Sequence, residues 1–179
     1  YYVDLKPKIT DVRIFDSEFN NPSGTHPYGW GTILIGGMRF GGKDICVTDS
    51  AWGGTGERTF KSSYFALDIT DPEQEPKLLW TFTHDNLGLT AVYPAPVRIG
   101  PSISNPGTYF VILGSVPTDY DGTSTQQGKI FALKISGGTN GVISSWTAGT
   151  NYWESGVDFL KGGANVAIDN YAFMADDPA

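Results

Sequence analysis

Short apolar runs separated by turn-forming residues constrain the fold of this chain more than any other feature of its sequence. The i, i+3, i+4, i+7 spacing of an amphipathic helix is not sustained in any window. Instead, β-branched and aromatic residues form runs of about four to eight positions that end at Gly, Pro, Asn or Asp. The pattern predicts an all-β fold with strands at Ile9–Phe15, Thr32–Gly37, Asp44–Thr48, Ser63–Ile69, Leu78–Phe82, Val92–Ile99, Tyr109–Gly114, Gly128–Ile135 and Val142–Trp146.

The predicted strands repeat as a group. Phe65-Ala66-Leu67 recurs as Phe131-Ala132-Leu133, and Ile33-Leu34-Ile35-Gly36 recurs as Val111-Ile112-Leu113-Gly114. One more strand precedes each pair and another follows it, so each unit has four strands. Repeated four-stranded units are typical of β-propellers, in which every unit, or blade, packs between two neighbours.

The number of units raises the question of how the sheet faces are covered. We expect units at about 6–83 and 90–148 and a truncated third unit from about 162, which makes about two and a half blades of a partial propeller. A closed ring has about four to eight blades. The strands expected to be exposed are those around Ile9–Phe15 and Ala164–Ile168. Further blades or partner chains are therefore expected to cover them. A β-sandwich built from the same strands is the competing fold.

Charge and hydropathy exclude two classes of partner. Of 179 residues, 12 are Lys or Arg and 19 are Asp or Glu, which gives a net charge of −7. Because nucleic-acid binders present clustered Lys and Arg, no nucleic-acid partner is expected. The apolar runs are too short to predict a membrane span. Cys46, the single cysteine, is interpreted as a small buried residue of a strand.

Several motifs resemble the PilC/PilY family of type IV pilus biogenesis proteins. Tyr64–Pro72, with the sequence YFALDITDP, is similar to the family's YFALDVTDP run. Tyr2–Val12 resembles the family's opening strand, Gly29–Gly37 its strand of the form W-x-T, and Pro76–Phe82 its PKLLWEF strand. The resemblance extends in matching order over Tyr1–Ile135.

The resemblance implies a quinoprotein-like propeller in a non-enzymatic protein at the tip of type IV pili. Such a protein is exported to the cell surface, with association to the outer membrane, and acts with minor pilins in pilus (fimbrium) assembly, extension and retraction. Twitching motility and adhesion through a host or surface receptor would depend on it. The alternative function is that of a quinoprotein-type oxidoreductase, because a shared fold does not give a function.

Calcium is the one cofactor that the resemblance implies. Family members carry an Asp-rich calcium loop in a later blade, and Asp176-Asp177-Pro178 resembles the segment that leads into it. The family site is therefore expected beyond Ala179. Within the chain, Asp119 and Asp121 belong to a D-x-D-G fragment that suits a hard cation. Gly128 stands where a calcium loop has its bidentate Glu, so a plain Asp/Gly turn is the alternative.

The polar loop that follows the third strand is a candidate binding loop. It carries Asp49, Trp52 and Glu57, and long loops on rigid β scaffolds often bind partners. An insertion without function is the alternative. His26 and His84 are interpreted as solvated turn residues, because neither Cys/His metal spacing nor a nucleophile motif accompanies them.

Overall fold

The computed structural model describes residues 2–48, 56–102, 106–120 and 128–155. In these ranges the fold is all-β, as predicted, and the strands of each sheet are antiparallel. The helical segments described are single 3-10 turns, and none could cross a membrane. The strands are β1 (Lys8–Arg13), β2 (Trp30–Gly37), β3 (Ile45–Thr48), β4 (Glu57–Phe60), β5 (Tyr64–Asp68), β6 (Lys77–Phe82), β7 (Ala95–Ile99), β8 (Thr108–Gly114), β9 (Ile130–Lys134) and β10 (Tyr152–Glu154).

The strands form two four-stranded antiparallel sheets and one separate hairpin. The order in the first sheet is β1-β2-β5-β6, and the order in the second is β10-β9-β8-β7. The hairpin β3–β4 is inserted between β2 and β5. Neighbouring strands within each sheet are therefore consecutive along the chain once the hairpin is set aside. The first strand of each group, β1 or β7, lies at a sheet edge.

One hydrophobic core joins the two sheets. Alternate residues of β2 and β8 point into it, and Ile33, Ile35, Val111 and Leu113 are almost completely buried. This alternation is the period of two that a strand imposes on its side chains. Burying each such side chain stabilises the fold by about 1.5–3 kcal/mol. The inner faces of both sheets thus share a single apolar interior.

Apolar side chains also lie on the outer face of the first sheet. The register pairs Ile9 with Leu34, Leu34 with Leu67, and Leu67 with Leu78, so one apolar row crosses all four strands. Ile9 is 56% exposed and Leu78 is 54% exposed. We call these four residues the first outer row.

A corresponding row crosses the outer face of the second sheet. Ala95, Ile112, Ala132 and Trp153 are paired in turn across β7, β8, β9 and β10. Phe110 lies on the same face, with its ring centroid 6.0 Å from that of Trp153. We call the four paired residues the second outer row. Both sheets therefore carry apolar residues on two faces rather than one.

The strand expected to be exposed has one face in the core. Of Ile9–Phe15, Ile9 is exposed, whereas Val12, Ile14 and Phe15 are buried in the shared core. The strand ends at Arg13 because the chain then enters a 3-10 turn. The other segment expected to be exposed, Ala164–Ile168, and the expected third unit lie outside the described residues.

The predicted strand Val142–Trp146 is wrong, and β10 takes its place in the second sheet. The segment packs against β6 instead, because Ile143 N–H donates to the Leu79 carbonyl at 2.9 Å and Trp146 Nε1 donates to the Thr81 carbonyl at 2.6 Å. After this contact the chain returns to the second sheet, where β10 pairs with β9. The fourth strand of the second sheet therefore lies beyond residue 148.

The repeated Phe-Ala-Leu motif does not occupy equivalent positions in the two sheets. Ala66 lies opposite Ile35, whereas Phe131, and not Ala132, lies opposite Leu113. A shift of one residue turns every side chain of a strand to the other face. The motif alanine therefore faces the core in the first sheet and the outer face in the second.

Tyr64 and Gly36 favour the register of the first sheet. Tyr64 is fully buried, and its hydroxyl donates to the Val92 carbonyl at 2.8 Å. Burial raises the pKa of the Tyr64 phenol. Phe65 turns to the outer face, where a Cβ added at Gly36 would lie 2.5 Å from its ring. A glycine at position 36 leaves room for that ring.

Candidate functional site

A polar cleft lies where the β3–β4 hairpin leaves the first sheet. It encloses about 190 Å³, and its walls include Lys43, Lys61, His84 and Asp85. We call it the lysine cleft after its two lysines. Its lining includes Thr118, which precedes the predicted metal residue Asp119, and Asp44 and Lys61, which flank the β3–β4 hairpin.

Asp119 is paired with a lysine of the protein itself. Lys43 Nζ donates to Oδ1 at 2.7 Å and to Oδ2 at 2.8 Å. The hydrogen bond from Lys43 lowers the pKa of Asp119, and the backbone N–H of Tyr120 lowers it further. Calcium would have to displace the Lys43 ammonium from both carboxylate oxygens. In the described ranges, no group of three or more His, Cys, Asp or Glu residues is arranged to hold a metal ion.

The second predicted metal residue, Asp121, lies outside the described residues, as do Asp49 and Trp52 of the predicted binding loop. Glu57 is described, and it is an exposed residue at the start of β4, opposite Thr48. The metal site and the binding loop both stay predictions.

A second ion pair closes another side of the lysine cleft. Lys61 donates to the carboxylate of Asp85. This hydrogen bond raises the pKa of Lys61 and lowers the pKa of Asp85. Because the two lysines of the cleft are each paired with an aspartate, the cleft presents little net positive charge to a ligand.

His84 is not the solvated turn residue that we expected. Its ring packs against Phe131 and Tyr152, with centroids 5.2 Å and 5.6 Å away. Its Nδ1 accepts a hydrogen bond from the backbone N–H of Asn86 at 3.1 Å. Among the described residues, no hydroxyl or thiol forms a hydrogen bond with this imidazole.

His26 likewise departs from the solvated-turn interpretation. Nδ1 lies 2.7 Å from Glu18 Oε1, and Nε2 lies 2.8 Å from Asp68 Oδ2. The ring stacks on Phe15 with the centroids 3.5 Å apart. The hydrogen bond to His26 lowers the pKa of Glu18. Only 12% of the His26 side chain is exposed. We call Glu18, His26 and Asp68 the histidine bridge.

The histidine bridge fastens the β1–β2 connection to the end of β5. Thr70 orients the aspartate, because its hydroxyl and its backbone N–H both donate to Asp68 Oδ1, at 2.6 Å and 3.0 Å. The two carboxylates contact different nitrogens of the ring, so they cannot bind one metal ion together with it. The sequence offered no signal for this cluster, because its members are far apart along the chain.

Cys46 is exposed on β3, which contradicts its interpretation as a buried residue. All eight residues of β3 and β4 are exposed, and the two strands pair only with each other among the described strands. The hairpin projects from the sheets, and an apolar residue on it therefore need not be buried.

No family model, curated protein or solved structure matches this chain. Its own residues and geometry therefore have to support any functional proposal. The described clefts contain ion pairs and a fastened loop rather than a recognisable catalytic group.

Proposed function

We propose that this chain is a segment of a quinoprotein-like β-propeller in a PilC/PilY-type protein. The protein acts without catalysis in pilus assembly, extension and retraction, and in attachment to host cells or surfaces at the pilus tip. The observation that carries the proposal is the pair of consecutive four-stranded sheets with apolar rows on their outer faces. Blades of a propeller need both faces apolar, because each packs between two neighbours.

The same observation favours a propeller over a sandwich. In a two-sheet sandwich the outer faces meet water and are mainly polar. Here the central strands carry Leu34, Leu67 and Ile112 outward. Sandwiches also commonly pass the chain from one sheet to the other by Greek-key connections. Each sheet of this chain is instead completed before the next begins.

The motifs that resemble the PilC/PilY family coincide with structural elements. Tyr64–Pro72 spans β5 and the following turn, in which Asp68 and Thr70 take part in fastening the β1–β2 connection. Pro76–Phe82 contains β6. These segments support the proposal because a resemblance carried by strands and their turns concerns the architecture of the domain.

The proposal includes several partners. Further blades or partner chains cover the outer rows, minor pilins join the assembly, and a host or surface receptor is bound at the tip. The protein is exported to the cell surface with outer-membrane association, and calcium binds in a later blade. A quinoprotein-type oxidoreductase remains the alternative, although no observation in the described residues favours it.

Deletion of the gene in its native host tests the proposed function. Surface pili, twitching motility and attachment should all decrease, and a plasmid copy of the full-length gene should restore them. If piliation, motility and attachment are all unchanged, the proposal is wrong. Turnover of an alcohol or aldehyde by the full-length protein with added quinone cofactor and calcium would support the oxidoreductase instead.

A further inference from the structure

A groove separates the edge strands β1 and β7 of the two sheets. It encloses about 270 Å³, and its walls include Asp11, Trp30, Val97, Arg98 and Tyr109. We call these five residues the aromatic groove. Both sheets contribute walls, and all of the groove belongs to the described residues. Its volume is close to the lower end of the range for small-molecule sites, about 300 Å³.

Arg98 is held between two aromatic rings of this groove. Its guanidinium carbon lies 5.7 Å from the ring centroid of Trp30 and 5.4 Å from that of Tyr109. Nε donates to the Pro106 carbonyl at 2.7 Å. No further hydrogen bond to the Arg98 side chain is formed within the described part of the chain. The two terminal nitrogens therefore keep their donors for a ligand.

A guanidinium with two free terminal nitrogens suits a carboxylate, which it can bind through two parallel hydrogen bonds. The aromatic contacts and the bond to Pro106 hold Arg98 in place, which reduces the ordering cost of binding. Trp30 is 40% exposed, and an indole ring offers a flat apolar surface beside the cation. The groove thus combines a fixed cation with an apolar platform.

Asp11 narrows the choice of ligand. Its Oδ1 accepts a hydrogen bond from the Thr32 hydroxyl at 2.7 Å, and the residue is exposed. A ligand hydroxyl can donate to this carboxylate, whereas a second ligand carboxylate would be repelled by it. The groove therefore favours a compound with one carboxylate, a hydroxyl that can donate to Asp11, and an apolar ring face.

We propose that the aromatic groove binds a carboxylate-bearing saccharide. The saccharide carboxylate pairs with Arg98, its ring packs against Trp30, and a hydroxyl donates to Asp11. The proposal depends on the geometry of the two sheets and not on the pilus function.

Saccharide binding to the full-length protein can be measured by NMR titration and saturation transfer. The ligands are methyl glucuronide, methyl glucoside, which replaces the carboxylate by a hydroxymethyl group, and N-acetylglutamate amide, which carries the carboxylate without a sugar. We expect binding of methyl glucuronide and at least about tenfold weaker binding of the other two. The glucoside lacks the carboxylate that pairs with Arg98, and the glutamate derivative lacks the ring that packs against Trp30 and the hydroxyl that donates to Asp11.

Variants locate the binding in the groove. Arg98→Gln should weaken glucuronide binding at least about tenfold, and Arg98→Lys should weaken it less, because it keeps the charge but loses the planar fork. Arg58→Gln, the same change on the exposed strand β4, should leave the affinity unchanged. The comparison of ligands on the unmodified protein remains decisive if an Arg98 variant fails to fold.

Three results with the unmodified protein, and one with a variant, would overturn the proposal. The first is no detectable binding of the glucuronide, and the second is equal binding of the glucuronide and the glucoside. The third is preferred binding of the glutamate derivative, which would identify a peptide carboxylate as the ligand. Unchanged glucuronide affinity in folded Arg98→Gln would also exclude this groove as the site.

Discussion

Single residues with partners far along the chain fix the loops of this fold. The histidine bridge joins Glu18, His26 and Asp68, and Lys43 pairs with Asp119 across the two sheets. Each of these contacts fastens a connection between strands rather than a strand itself. Neither local spacing nor hydropathy could predict them, because only the packing of the sheets brings the partners together.

The Lys43–Asp119 pair makes a prediction about pH. We expect Asp119 to titrate below the ordinary aspartate value of 3.8. Because the folded-state pKa is lowered, the pair stabilises the folded state above the unfolded-state pKa, and this contribution is lost as the pH falls through the folded-state pKa. Carboxyl-carbon NMR across the acidic range measures the pKa of Asp119 directly.

Substitution of Lys43 tests whether this lysine causes the lowered pKa of Asp119. Lys43→Met should raise the pKa of Asp119 toward its ordinary value, with a residual lowering from the backbone N–H of Tyr120. The control is Lys61→Met, which removes the partner of Asp85 and should leave Asp119 unchanged. An Asp119 pKa that does not respond to Lys43→Met would contradict the assignment.

At the scale of elements, short apolar runs that end at turn-forming residues predicted most strands of the sheets but not their partners. The central strands were located because Ile33–Ile35 and Val111–Leu113 are continuously apolar, and in the structure their alternate residues are buried in the core. The strand β4 was missed because its residues are mostly polar and exposed. The segment at Val142–Trp146 has the composition of a strand, but hydrogen bonds to β6 hold it outside the second sheet.

The β3–β4 hairpin should be dispensable for folding. Replacing Ile45–Phe60 in the full-length protein by a short Gly-Ser linker between Asp44 and Lys61 removes strands that pair only with each other. We expect the melting temperature to fall by no more than about 4 °C, the shift that corresponds to about 1 kcal/mol. Differential scanning calorimetry measures this change.

A substitution in the core provides the reference with which the stability lost on removing the hairpin is compared. Ile33→Ala should cost about 2–5 kcal/mol, because Ile33 is completely buried. If the hairpin is a binding element as predicted from Asp49, Trp52 and Glu57, its removal should also reduce attachment while surface pili persist. A loss of stability as large as that of Ile33→Ala would contradict the view that the hairpin is an independent projection.

At the scale of the whole molecule, the central feature is the presence of apolar rows on both outer faces. Repetition in the sequence predicted two four-stranded units, and the two sheets agree with that pattern. The repetition does not show which side of a strand meets the core. The segment Ile9–Phe15 was expected to be exposed, but its residues Val12 and Phe15 belong to the shared core. The one-residue difference in register between the sheets was equally hidden, since it depends on the contacts of Tyr64.

Thiol labelling of the full-length protein tests most directly whether the outer faces are covered. In a Cys46→Ser background, Leu78→Cys and Ile130→Cys place thiols on the two outer faces, at positions 54% and 37% exposed here. Val47→Cys is the control, on the hairpin and 42% exposed. A propeller predicts that the thiols at positions 78 and 130 react far more slowly than the thiol at position 47, with equal rates in denaturant. Equal rates at all three positions in the folded full-length protein would contradict the propeller.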